Sequence, residues 1–202
     1  MATPTIPNGE EYFFPIIYEG NGGGQRVGKF VPFTDNGTID NSCIFNDGDS
    51  PSLARTPSSG GDRRTWTFSA WIKRGNLTGA VQYIFSASDS ASSTKYDYIY
   101  FDTDNTIDIQ HYNGSGTEGR IKTNRTFEDT SKFYHLFYVF DSTNATAGNR
   151  MRLYIDGDEI TSFSIDTNPS LNYETDVNDT TPQTLGKPGW ASVVDRDWET
   201  NT

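Results

Sequence analysis

Short runs of aromatic and β-branched residues alternate with clusters of Gly, Asn, Asp, Ser and Thr at roughly 8–12-residue intervals. No stretch longer than two turns repeats apolar residues at the i, i+3, i+4, i+7 spacing of an amphipathic helix, so the pattern predicts strands. The clearest covers 64–74, RTWTFSAWIKR. By the period of two, Trp66, Phe68, Ala70 and Ile72 share one face, and Thr65, Thr67, Ser69, Trp71 and Lys73 share the other. Trp71 interrupts that polar face, and it either packs under a loop or marks a surface. Segment 82–86 is the expected partner of this strand. Segments 96–101 and 106–112 read as a hairpin around Asp102-Thr103-Asp104-Asn105, with Ile107 and Ile109 on one face of the second arm and Asp108 and Gln110 on the other. Segment 133–140, FYHLFYVF, is apolar on both faces, which suits a strand buried on both sides or covered by a loop. Met151, Leu153 and Ile155 alternate with Arg150, Arg152 and Tyr154 before Asp156-Gly157 and a second run at 159–165. A two-residue Asp-Gly turn between alternating runs predicts a hairpin. Shorter strands are expected at 27–33, 39–46, 52–56, 119–123 and 184–186, with a polar loop at 168–181. About a dozen short antiparallel strands predict an all-β fold, a two-sheet antiparallel β-sandwich of jelly-roll type.

Composition narrows the function classes. A chain of 202 residues is one domain by length. Its net charge of −11 argues against nucleic-acid binding and against a polybasic membrane anchor. Hydrophobic residues are only 33%, but 14% aromatic content is too rich for a disordered segment. Cys43 stands alone, which excludes an internal disulfide framework, and His111 and His135 leave little room for a His-rich metal site. No apolar run approaches the ~20 residues that span a bilayer, so membrane insertion is not expected. The first residues carry neither a basic n-region nor an apolar h-region, so no signal peptide is expected. Within residues 1–26, Pro4, Pro7, Pro15 and Gly22-Gly23-Gly24 resist a regular element, and the apolar run 12–18 suits an edge strand or contact with a neighbour.

Three blocks carry a family resemblance. Trp66-Thr67-Phe68-Ser69-Ala70-Trp71-Ile72-Lys73-Arg74, Lys132-Phe133-Tyr134-His135-Leu136 and Arg152-Leu153-Tyr154-Ile155-Asp156-Gly157 come in the order and spacing of concanavalin A-like, laminin-G-type jelly rolls, which the chain resembles over about 39–186. Residues 30–56, with Asn46-Asp47-Gly48-Asp49-Ser50-Pro51 and Arg55-Thr56-Pro57, resemble the version of this domain in tailed-phage virion and tail-fibre-like proteins. The expected organisation is an N-terminal arm at 1–26, the sandwich at 27–187 and an atypical tail at 188–202. After Leu185-Gly186 the family continues into a closing central strand that Trp190-Ala191-Ser192-Val193-Val194 does not match, so a C-terminal truncation is expected. The resemblance implies loops or a concave face that bind glycans or protein surfaces. Some relatives bind calcium and some are hydrolases, and fold alone does not choose among them.

The residues narrow that choice. Glycoside hydrolysis needs two flanking carboxylates, about 5–5.5 Å apart for retention. Glucanases on this fold place them as Glu-x-Asp-x-Glu on one strand, whereas here Thr106-Ile107-Asp108-Ile109-Gln110 keeps Asp108 alone, expected as an ordinary exposed strand residue. No nucleophile motif stands out, so no catalytic residue is assigned and an enzyme is not expected. His135 is expected to be packed or hydrogen-bonded and His111 to lie at the surface. Calcium needs 6–8 oxygens. Asp102, Asp104 and Asn105 form one candidate cluster and Asn46-Asp47-Gly48-Asp49 another, each also explicable as solvated turn residues, with Asp89 able to join a site only through the fold. Carbohydrate recognition uses aromatic faces, and Tyr96, Tyr98, Tyr100, Tyr112 and Trp71 are the candidates. Tyr96, Tyr98 and Tyr100 share one strand face, as a binding stripe or as packing against the other sheet. The expected function is a non-catalytic carbohydrate-binding or adhesion module of a phage tail-fibre-like protein, in the virion or outside the cell. Its expected partners are glycans or host cell-surface polysaccharide and other virion proteins, with several copies on a homo-oligomer. A purely structural assembly module is the alternative, and a hydrolase a weaker one.

Overall fold

The computed structural model describes residues 45, 51–77, 79–88 and 95–188. These form β1 (Leu53–Arg55), β2 (Thr65–Ile72), β3 (Gln82–Ser88), β4 (Tyr96–Phe101), β5 (Thr106–Tyr112), β6 (Thr117–Thr126), β7 (Tyr134–Asp141), β8 (Met151–Ile155), β9 (Asp158–Ile160), β10 (Phe163–Thr167) and β11 (Gln183–Leu185), with one short 3-10 turn at Ala147–Asn149. Seven strands pair in the order β1-β11-β3-β4-β5-β6-β10 and four in the order β2-β7-β8-β9, every pair antiparallel. The chain is thus the two-sheet all-β sandwich that its alternation predicts.

Between the sheets lies one apolar core. The seven-stranded sheet contributes Ile99, Phe101, Ile107, Ile109 and Ile121, and the four-stranded sheet contributes Leu136, Tyr138, Phe140, Leu153 and Ile155. Each such side chain, fully buried, stabilises the fold by about 1.5–3 kcal/mol. The Asp-Gly hairpin forms because Asp156 (φ 58°) and Gly157 (φ 93°) both take the left-handed conformation that a two-residue turn of matching twist demands.

Two expectations on pairing and one on burial are corrected. β2 does not pair with β3; it pairs along its length with β7, Trp66 opposite Phe140 and Ile72 opposite Tyr134, while β3 lies in the other sheet between β11 and β4. The run 159–165 is not one arm. β9 stops at Ile160, and the chain crosses to the other sheet, where β10 pairs with β6. β7 is buried on one face only; its other face, with His135, Phe137 and Val139, is half-buried. β2 ends the four-stranded sheet among the described residues. Its inward Trp66, Phe68, Ala70 and Ile72 are part-buried, while the inward residues of β7 are buried, as a strand with one neighbour requires. The expected arm, the strands at 27–33 and 39–46 apart from Phe45, and the tail from 189 onward lie outside the described residues.

Candidate functional site

Alternation along β4 sends Asp97, Ile99 and Phe101 toward the other sheet and Tyr96, Tyr98 and Tyr100 to the opposite face, so the tyrosine stripe does not pack between the sheets. Register then assembles its neighbours. Tyr112 of β5 stands opposite Tyr96, Gln110 opposite Tyr98, Asp108 opposite Tyr100, and Tyr83 of β3 flanks Tyr100 on the other side. Rings stack continuously from Tyr112 to Tyr96 (centroids 4.9 Å apart, 11°) and from Tyr96 to Tyr98 (4.2 Å, 10°). Tyr83 meets Tyr98 edge-on at 5.1 Å and Tyr100 at 5.6 Å. Tyr83, Tyr98 and Tyr100 are buried, and Tyr96 and Tyr112 are half-buried. A cavity of about 240 Å³ opens on this face, walled by Val81 and four of the tyrosines and rimmed by Asp102, Gln110 and Arg120.

The polar rim is internally neutralised. Asp108 is fully buried, not the exposed strand residue expected, because the Arg120 guanidinium closes on it: Nε donates to both oxygens at 3.1 Å and Nη2 to Oδ2 at 2.6 Å. The Asp108 hydrogen bonds hold the Arg120 pKa above its ordinary value against burial. Burial first, and then the Asp108 charge, pushes the Tyr100 phenol well above its ordinary value, so it remains a donor at neutral pH. In the neighbouring turn the Lys122 ammonium donates to Asp102 at 2.6 Å and lies 2.8 Å from Asp104. Burial works against its charge, yet the two carboxylates raise its pKa.

That geometry decides how the acidic turn fits calcium. Asp102 and Asp104 converge on an ammonium, and the third expected ligand, Asn105, turns its carbonyl to Arg74 Nη1 at 2.9 Å. A divalent cation would have to displace Lys122, so these residues do not fit one. Among the described residues no group of three His, Cys, Asp or Glu side chains is placed to hold a metal. The segment Asn46-Asp47-Gly48-Asp49 and Asp89 lie outside them.

The clamp makes a pH prediction. Burial opposes ionisation of Asp104, but hydrogen bonds from Lys122 and Thr106 prevail and hold its carboxyl at about 2, against an ordinary 3.8. A depressed carboxyl pKa means that the stabilisation is fully present above pH 3.8 and is lost as the pH falls through about 2. Carboxyl 13C NMR should show Asp104 titrating below the ordinary aspartates, and Lys122→Met should bring its midpoint back toward 3.8. An unchanged midpoint in that variant would dissolve the clamp.

Other expected residues fall elsewhere. Trp71, 64% exposed, lies on the outer face of the four-stranded sheet, stacked on His135 (4.8 Å, 27°), and does not join the tyrosines. His135 also hydrogen-bonds Ser69 at 3.0 Å. His111 is not at the surface. It is buried, with Nδ1 2.5 Å from Asp97 Oδ1 and Nε2 2.9 Å from the Tyr138 hydroxyl. Sequence reasoning missed Tyr83, Gln110, Arg120 and Lys122 as site residues. The parity of Gln110 with Asp108 was visible, but the cross-strand register that brings in β3 and β6 was not.

A family model described as the concanavalin A-like lectin/glucanases superfamily matches residues 46–198. No curated protein matches the chain. Among solved structures, the carbohydrate-binding module CBM40 of the Ruminococcus gnavus IT-sialidase is similar at 11% identity, over 73% of this chain and 85% of that one, with a TM-score of 0.50. The native heptameric SAP-like pentraxin of Limulus polyphemus gives 17% identity over 74% of this chain, TM-score 0.46, and this chain spans only 64% of its length. The Bacillus subtilis module CBM66 gives 18% identity over 70% of this chain and 76% of that one, TM-score 0.38. At 11% identity the likeness to CBM40 is one of fold alone.

Proposed function

Because the chain belongs to the concanavalin A-like lectin/glucanase superfamily, we propose that it is a non-catalytic carbohydrate-binding module whose sugar rests against the tyrosine face of β3, β4 and β5. One observation carries this reading: Tyr112, Tyr96 and Tyr98 stack in a row beside a cavity of about 240 Å³ rimmed by Asp102, Gln110 and Arg120. Both faces of Tyr96 are taken by Tyr98 and Tyr112, so a pyranose would meet the edges of the stacked, half-buried Tyr96 and Tyr112, and the rim supplies donors and acceptors for its hydroxyls. The volume is below the ~300–1,000 Å³ of sites that enclose drug-sized ligands, a fit for a single ring, so single contacts are weak and several copies would add avidity. Hydrolysis requires two carboxyl groups flanking the bond, one kept protonated. Asp108 and Asp102 are instead each ion-paired, which supports the non-catalytic reading. The place of this module on a virion appendage rests on the resemblance of residues 30–56 to phage proteins. The alternative, an assembly module, draws on the exposed Trp71 of the other sheet and the exposed Phe133 just before β7.

The test is an array of neutral and acidic oligosaccharides probed with the protein presented as a tetrameric fusion. Wild type should bind, and Tyr96→Ala should weaken binding tenfold or more, the scale of a truncated aromatic hot spot. Trp71→Ala, on the opposite side of the sandwich, should leave binding unchanged, and EDTA should not abolish it. Loss of binding in Trp71→Ala with retention in Tyr96→Ala would move the site to the four-stranded sheet. No binding by folded protein would favour the assembly module.

A further inference from the structure

The charges around the tyrosine cradle bear on which sugars it takes. Among the described residues two cations stand at or beside it, Arg120 and Lys122, and neither is available to an incoming anion. The Arg120 fork is closed on the buried Asp108, with three hydrogen bonds between 2.6 and 3.1 Å. The Lys122 ammonium is shared between Asp102 and Asp104 at 2.6 and 2.8 Å. These five groups place three carboxylates against two cations, on a chain whose net charge is −11. A sugar carboxylate or sulfate would have to break a formed ion pair or sit unpaired beside like charge, in a cavity whose low-dielectric walls strengthen that repulsion. A neutral pyranose meets no such cost. Its hydroxyls can donate to the remaining lone pairs of Asp102 and to the Gln110 carbonyl, since the Gln110 amide already donates to Thr117 Oγ1 at 3.2 Å.

We infer that the cradle selects neutral sugars and rejects those carrying a carboxylate or sulfate, because its cations are already closed by Asp102, Asp104 and Asp108. The inference rests on the carbohydrate-binding reading above and specifies its ligand class.

Paired oligosaccharides that differ only in oxidation at C6, such as galacto- and galacturono-oligosaccharides of the same linkage and length, test it on the intact chain at low salt. The neutral member of any bound pair should bind at least tenfold more tightly than the acidic one, and raising the salt should narrow the gap by screening. The doubly substituted Asp102→Asn, Asp104→Asn protein keeps the shape and acceptor oxygens of the turn while releasing Lys122. Its affinity for the acidic member should rise about tenfold. Equal binding of the two members by wild type, or preference for the acid, would overturn the inference and leave the carbohydrate-binding reading standing. No binding of either member of any pair would overturn both. Unchanged discrimination in the double variant would also overturn the inference, since closed cations would then not set the selectivity.

Discussion

Replacing Asp97 by alanine is expected to lower the thermal midpoint by roughly 10 °C, from a loss of about 3–5 kcal/mol at ~2–4 °C per kcal/mol for a domain of this size. The side chain is buried and joins three parts of the molecule. Oδ1 accepts from His111 Nδ1–H of β5, and His111 Nε2 shares a 2.9 Å hydrogen bond with the Tyr138 hydroxyl of β7 in the other sheet. Burial foremost, then the Asp97 charge, raises the Tyr138 pKa, so that hydroxyl stays protonated and able to donate. Oδ2 accepts from the backbone amides of Asp176 and Val177, fixing the loop between β10 and β11. Alanine would strand three buried donors at once, each worth ~1–3 kcal/mol when left unpaired. Tyr138→Phe removes one hydroxyl and should cost only about 1 kcal/mol. Urea and thermal unfolding of the two variants measure the contrast. A Tm within a couple of degrees of wild type for Asp97→Ala would mean that water replaces the carboxylate and that the joint holds nothing.

This network shows how far the sequence could be read. Parity groups Asp97 with Ile99 and Phe101, and His111 with Ile107 and Ile109, on one face each of two strands joined by a recognisable hairpin, but it leaves the core face of the first strand open, and His111 is expected at the surface. The register Asp97 opposite His111 follows from that hairpin, so an Asp–His pair was legible to anyone who carried the alternation two residues further. The tyrosine stripe was legible as a stripe, while parity leaves open whether it faces outward or packs against the other sheet. Local pattern cannot state which sheet a strand joins. β2 and β3 are consecutive strands, yet they fall in different sheets, because pairing is decided by long-range partners such as β7 and β11. The break at Thr161-Ser162 carries no Gly or Pro; its only local mark is a slip in the alternation, Ile160 falling on one parity and Phe163 and Ile165 on the other, and such a slip does not say that the chain changes sheets. Asp108 looked exposed because its strand face is polar; the Arg120 that covers it comes from β6, beyond any local window. The clamp on Asp102 and Asp104 was hidden likewise, since an acidic turn that could bind a cation and one that already holds a lysine have the same local sequence.

Arg74→Ala is expected to have an effect as large as Asp97→Ala, and its physics is less obvious. Arg74 closes the strand segment that reads as polar at its end, yet it is 1% exposed. Neutral acceptors hold its guanidinium: Nε donates to Gln82 Oε1 at 2.9 Å, and Nη1 donates to Asn105 Oδ1 at 2.9 Å and to the Phe127 carbonyl at 2.7 Å. Its Cζ lies 4.5 Å from the Phe101 ring centroid, a cation–π contact in a dry setting. Burial pushes its pKa down, and neighbouring Tyr134 and Glu128 offset part of that. Two effects therefore oppose each other on removal. Deleting the charge relieves a desolvation cost of several kcal/mol. It also deletes three charge-assisted hydrogen bonds, about 1.5–3 kcal/mol each, strands the Phe127 carbonyl and Gln82 amide, and opens a cavity where a long side chain was. The second group is larger, and a net loss of about 3–5 kcal/mol is expected, again roughly 10 °C in Tm. Arg74→Met refills the cavity without the donors and should recover about half of that loss. The residues that Arg74 holds lead straight to the site: Gln82 precedes Tyr83, and Asn105 (φ 63°) ends the turn that presents Asp102 and Asp104 to Lys122. Arg74→Met, though folded, should therefore also weaken carbohydrate binding and raise the Asp104 titration midpoint. If Arg74→Met matched wild type in Tm and in binding, the hydrogen bonds of Arg74 would do no more than offset its own desolvation, and the turn would hold its shape unaided.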